Sequence, residues 1–169
     1  MTALASSGRQ SIPAVLLLTL GMAIVILSAL GLEYFGHYIP CELCLKERIP
    51  YYVGIPLAIL AILSAGLRMP ATATRVLIGI VVIAMLIGAG LSVYHAGVEW
   101  KFWEGPASCT SSLNTISKKA GDLLSDLSTQ HEPSCSEAAL RILGLSLSGW
   151  NVVATLVLAV IGIFAVRKA

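Results

Sequence analysis

The sequence predicts an all-α membrane protein, a four-transmembrane-helix bundle with a long outer loop carrying a short amphipathic helix. Three observations lead there. Of 169 residues, 57% are hydrophobic and only 12% charged, with a mean hydropathy of +0.87. Soluble domains carry about 25% charged residues, so this chain is built for lipid. Four stretches contain no Asp, Glu, Lys or Arg and are long enough to cross a bilayer: Ser11 to Leu32, Ile49 to Leu67, Val76 to Val98 and Ile142 to Val166. A crossing takes about 20 residues. Leu, Ile, Val and Ala dominate each stretch without the strict alternation of a membrane β-strand. Helices fit best, because a helix satisfies its own backbone in lipid.

The spans are expected at about 11–32, 49–67, 76–98 and 147–166, in a single membrane domain of residues 1–169. Loops of about 33–48 and 99–146 would then lie on one side. The first stretch has Arg9 before it and small residues near Ser28 and Ala29, as a signal peptide would. Its apolar run exceeds the roughly 7 to 15 residues of a typical signal core, and a retained span is expected. Pro50 and Pro56 in the second span each remove an N–H. Gly79, Gly88 and Gly90 in the third are expected to let helices approach closely. Trp100, Phe102 and Trp103 follow it as an interfacial aromatic belt. The net charge of +2 and the absence of a compact basic patch point away from nucleic acid.

Four spans put both termini on one side, with Arg9, the Arg68 to Arg75 connection and Arg167-Lys168. These short segments are basic and free of acids, which favours the cytoplasmic side. The opposite loops hold all four cysteines, Cys41, Cys44, Cys109 and Cys135. An even number confined to one side fits disulfide chemistry in an oxidising compartment.

The stretch HYIPCELCLKERIPYY, residues 37 to 52, concentrates the chemistry. Pro40 precedes Cys41-Glu42-Leu43-Cys44 and an apolar run follows, so the pair is expected to open the second helix. Backbone N–H groups there favour a thiolate, the reactive form. A two-residue gap makes a poor staple, because stabilisation grows with the loop closed, and a short-loop disulfide is the labile kind. Arg48 lies four residues after Cys44 and seven after Cys41, so the three share a helical face. Alone, Arg48 would read as an interfacial anchor. Beneath a cysteine pair it can stabilise negative charge on a thiolate or on an electron acceptor. Glu47 is expected to be a solvated, headgroup-level residue.

Cys109 and Cys135 stand 26 residues apart. Bridging such a loop would be worth roughly 3 to 4 kcal/mol in the chain-entropy model, so a structural disulfide is a serious alternative there. Between them, SLNTISKKAGDLLSDLST spaces Leu113, Ile116, Ala120, Leu123, Leu124 and Leu127 as an amphipathic surface helix does. One short cysteine spacing is half of a zinc pattern, and no metal is expected. His95 at the outer end of the third span can donate a hydrogen bond to a ligand, or serve as an ordinary interfacial histidine.

Together these features resemble the disulfide bond formation protein B (DsbB) family over essentially the whole chain. PCELCLKER matches the family's P-C-x-x-C-x-x-E-R at the start of the second helix. The four-span plan, the outer cysteine pair, YH closing the third span, and C-S-E followed by LGL and Trp150 also match. EWKFWEGPASC and RIPYY differ from the best-known members. The resemblance implies a thiol:quinone oxidoreductase of the bacterial inner membrane. Cys109 and Cys135 would form the disulfide attacked by a reduced periplasmic thioredoxin-fold (DsbA-like) oxidase. Electrons would pass to Cys41 and Cys44, with Cys44 facing ubiquinone or menaquinone from the membrane quinone pool. Arg48 would polarise the quinone carbonyl, with His95 near the ring. Two rivals remain: a quinone reductase like vitamin K epoxide reductase, whose cofactor-side pair belongs to a late helix, and a non-catalytic membrane scaffold with structural disulfides.

Overall fold

The computed structural model describes residues 9–106, 135–136 and 138–169. The expected amphipathic helix, together with Cys109, lies outside the described residues. Among the described residues there are four long helices: α1 (Ile12–Tyr34), α2 (Glu42–Gly66), α3 (Ala71–Glu99) and α4 (Leu147–Lys168). Each is long and apolar enough to cross a membrane. The principal contacts run round a ring, with α2 against α3, α3 against α4, and α1 against α2 and α4.

The helix ends follow local chemistry. Cys41 is extended at φ −74° and ψ 169°, and its sulfur accepts a hydrogen bond from the Cys44 N–H at 3.3 Å. It therefore caps α2, satisfying one of the N–H groups a first turn leaves without a partner. The helix thus starts at Glu42, seven residues before the charge-free stretch, and its charged first turns are helical. Glu42 and Lys46 pair across one turn at 2.6 Å. α2 continues through both Pro50 and Pro56. Arg68, at φ 58°, turns the chain out of α2. A small antiparallel hairpin precedes α4: β1 (Arg141–Ile142) pairs with β2 (Leu145–Ser146). Leu143 and Gly144 both have positive φ, the backbone that a tight two-residue hairpin turn requires. Ser146 then caps α4 by accepting from Gly149 N–H at 3.2 Å. The Trp150 indole N–H donates to the Ile142 carbonyl at 3.0 Å and ties the hairpin to the helix.

Packing is that of a membrane bundle. Leu17, Leu20, Leu27, Leu63, Ile83 and Val157 point outward and are exposed. Ala58, Ala61, Ala65 and Ala159 are buried between helices, where small side chains bring backbones close. Val15, Leu18, Met22, Tyr51, Ile78, Val81 and Met85 fill the rest of the core. Buried hydroxyls find each other, as Ser64 and Thr74 do at 2.9 Å between α2 and α3. Of the three glycines expected to permit close packing, only Gly88 does. A Cβ there would lie 3.3 Å from Pro50 and 3.4 Å from Thr155, whereas Gly79 and Gly90 have nothing within 4 Å. The correction has a simple cause: their Cβ directions fall into open space rather than at a helix crossing. Gly21, facing Leu158, Gly54, facing Met22, and Gly162, facing Val82, also stand at helix crossings.

Gly88→Leu is therefore expected to cost about 1–3 kcal/mol by overpacking the α2–α3–α4 junction. Gly79→Ala should leave stability unchanged or slightly raised. Thermal unfolding of both variants in detergent checks this; equal midpoints would refute the assignment.

Candidate functional site

The first turns of α2 carry Cys41, Cys44, Glu47 and Arg48 at the end of the bundle that receives the 35–41 connection and the hairpin. The helical repeat puts Cys41, Cys44 and Arg48 on one face, and the structure gives all three to the wall of one cavity of about 370 Å³. Ile24, Val25 and Leu32 of α1, Ile39 of the connection, and Leu147 and Ala154 of α4 form its apolar sides. Cys41, Cys44, Arg48, His95, Tyr38, Asn151 and the carboxylates of Glu33, Glu47 and Glu99 supply polar atoms. The volume and the polar groups on apolar walls are those of a small-molecule site.

Cys41 is 7% exposed. Its sulfur lies 2.7 Å from Cys44 Sγ and 3.6 Å from His95 Nε2. The hydrogen bond to the Cys44 thiol, and then the neighbouring His95, hold the Cys41 thiol well below the ordinary thiol value, against the opposing effect of burial. Cys41 and Cys44 are free thiols here, while Cys135 is disulfide-bonded. Cys135 is almost fully buried in a cluster with Cys41, Leu43 and Val98, and Cys44 packs at its edge. The fold thus brings a cysteine of the outer loop against the α2 pair. The thiols of Cys41 and Cys44 and a His95 nitrogen lie within 4.8 Å of one another. Three donors are one short of a closed structural zinc site, and none is assigned to a metal.

Arg48 meets a partner that sequence spacing did not show. Its Nη1 donates to Glu33 Oε2 at 2.5 Å, from the last turn of α1, with both side chains largely covered. A guanidinium has five N–H donors, so one bond to Glu33 leaves others for the cavity.

Glu47 corrects the reading of a solvated, headgroup-level residue. It is 7% exposed, and its carboxylate binds His95 Nδ1 at 2.7 Å and Asn151 Nδ2 at 3.1 Å. Glu47 sits one turn from Cys44 on the helix side facing α3 and α4, where a carboxylate is retained only because it is paired. His95, 3% exposed, is not an interfacial residue either. Its Nε2 also lies 3.8 Å from Glu99, another buried carboxylate, which accepts from Ser148 at 2.6 Å. Asn151 joins the network by donating to Ser92 at 2.7 Å and accepting from the Tyr51 hydroxyl at 2.6 Å. Among the described residues, no buried side-chain nitrogen or oxygen lacks a partner. Sequence reasoning missed Glu33, Glu99, Asn151 and the role of Glu47. The i, i+4 spacing of His95 and Glu99 was the one available signal. Trp103 stacks on Tyr94 and donates to its carbonyl at 2.8 Å, closing the outer end of α3.

Comparison with known proteins agrees with this architecture. The family described as disulfide bond formation protein DsbB matches residues 11–165. An uncharacterized protein of Rickettsia prowazekii is 31% identical over 137 residues, covering 76% of this chain and 72% of that protein. Disulfide bond formation protein B of Aromatoleum aromaticum is 26% identical over 162 residues, covering 88% and 84%. The protein of that name in Saccharophagus degradans is 29% identical over 158 residues, covering 91% and 92%. No solved structure matches the chain. With the family matching nearly every residue and four membrane-length helices in place, the chain belongs to the DsbB family of disulfide bond formation, as a multi-pass membrane oxidoreductase.

Proposed function

We propose that the protein is an inner-membrane thiol:quinone oxidoreductase that reoxidises a periplasmic thioredoxin-fold, DsbA-like dithiol oxidase. One observation carries the reading: both thiols of the α2 pair and Arg48 stand in the wall of an apolar cavity of about 370 Å³ at the end of the bundle. The residues present fit a quinone. Apolar side chains cover a ring and the start of its tail, while Arg48 and Tyr38 offer hydrogen-bond donors to its carbonyls. When bound, the quinone accepts the two electrons and two protons that a dithiol gives up on closing to a disulfide.

In this reading Cys109 and Cys135 form the disulfide that the reduced oxidase attacks. Thiol–disulfide exchange proceeds through a mixed disulfide and requires access to one sulfur. Cys135 packing beside Cys41 supports passage of electrons from the outer pair to Cys41 and Cys44. Cys44 faces the quinone, and Arg48 stabilises the negative charge that develops on its oxygen. His95 lines the same cavity. The cysteine-bearing end is periplasmic and the termini are cytoplasmic: Arg68, Arg75, Arg167 and Lys168 lie at the opposite helix ends, as the positive-inside bias requires. The outer pair lies in the 99–146 loop and the α2 pair opens the second helix, which favours this reading over a quinone reductase whose cofactor-side cysteines sit on a late helix.

Three results are expected with purified protein in detergent, supplied with a reduced periplasmic thiol oxidase and a soluble quinone. Cys44→Ala should abolish quinone reduction, and Arg48→Ala should raise the quinone KM about tenfold or more, the worth of a charge-assisted hydrogen bond. Cys109→Ser should abolish turnover driven by the oxidase, because the outer disulfide is gone. A folded, oxidised wild type that reduces no quinone with any reduced oxidase would instead leave a scaffold with structural bridges.

A further inference from the structure

The polar network behind the cysteine pair is more elaborate than a quinone pocket needs. Three buried ionisable groups from two helices converge on Cys41: Glu47 of α2, and His95 and Glu99 of α3. Glu47 Oε1 lies 2.7 Å from His95 Nδ1, and His95 Nε2 lies 3.6 Å from Cys41 Sγ. We propose that Glu47, His95 and Cys41 form a carboxylate–imidazole–thiol triad, in which Glu47 is the positioning residue that aims His95 to take the Cys41 proton. The inference rests on reading Cys41 and Cys44 as the redox pair.

The hydrogen bonds set the direction of transfer. Donation of Nδ1–H to the Glu47 carboxylate fixes the tautomer, so an unprotonated Nε2 faces the thiol. The carboxylate then stabilises the imidazolium that forms when the proton moves. Asn151 Nδ2 binds the other oxygen of Glu47 at 3.1 Å and keeps the carboxylate from turning away. Glu99, 3.8 Å from the same Nε2, stands where it can receive the proton next, with its far oxygen held by Ser148. Closing the Cys41–Cys44 disulfide releases two electrons and two thiol protons, which a bound quinone would take up; the Cys41 proton would leave by way of His95.

The other groups around the site do not take this role. Cys44 hydrogen-bonds Cys41 itself. Arg48 and Glu33 neutralise each other on the cavity wall, Lys46 and Glu42 do so in solvent, and Cys135 is disulfide-bonded. Tyr51, in the same wall, spends its hydroxyl on Asn151.

The test reads the thiol directly and needs neither quinone nor oxidase, so it can fail while turnover stands, and the reverse. In full-length Cys44→Ala protein kept reduced, the alkylation rate of Cys41 is followed against pH by mass spectrometry of its peptide. Adding Glu47→Gln should move the midpoint up by about one pH unit or more, because His95 loses the carboxylate that stabilises its protonated form and the Cys41 thiolate then loses the imidazolium beside it. Glu47→Asp should recover part of that shift. A purely structural Glu47 would lower the melting temperature and leave the midpoint in place, which would overturn the proposal. Should Glu47→Gln fail to fold, His95→Gln carries the same test: an upward shift supports the triad, and an unmoved midpoint overturns it.

Discussion

The hydrogen bond between Glu47 and His95 is the contact on which the outer end of this bundle depends. It crosses from α2 to α3 inside a low-dielectric interior, and Asn151 extends it to α4. Breaking one member would strand a buried charge, which is far more costly than the net value of the pair. Lipid-facing Leu and Ile cannot specify how far one helix is rotated against the next, because lipid tails are as apolar as the neighbouring helix. A satisfied polar network can. It sets the rotation of α2, and that rotation turns the two cysteines and Arg48 toward α1 and the cavity.

The consequence is a division of the α2 entry into two faces. One carries Cys44 and Arg48 toward α1, and the other carries Glu47, which also reaches the cavity wall, against His95 and Asn151. Cys41 belongs to both, lying between Cys44 on one side and His95 on the other. Its place as the N-cap adds the Cys44 N–H to the donors around the sulfur. Helix geometry, hydrogen bonding and burial therefore act on one atom, and the favourable contacts with the charged form exceed the cost of burial.

The rest of the bundle supports this end without taking part in it. Alanines along α2, Gly88 against Pro50, and Gly162 against Val82 bring the helices close. Close approach at the centre lets short side chains such as Ser92 and Asn151 meet across helices. The hairpin before α4 performs a related task. Its turn and the Trp150 bond aim the first residues of α4 so that Ser148 reaches Glu99.

Much of this was legible in the chain itself. Charge-free runs of membrane length set the four helices, because lipid admits no unsatisfied backbone and few charges. The Pro40 to Cys44 block marked the start of α2, and the three- and four-residue steps to Arg48 set a shared face, since the helical repeat is a local property. What the sequence could not determine is which groups meet across helices. Glu33 and Arg48 are 15 residues apart, Glu47 and His95 48, and Glu47 and Asn151 104. No periodicity encodes those pairings. Glu47 beside Arg48 looked solvated because sequence shows a charge next to a charge, whereas only the rotation of α2 in the tertiary structure decides that one of two adjacent side chains meets Glu33 of α1 and the other is buried against His95 and Asn151.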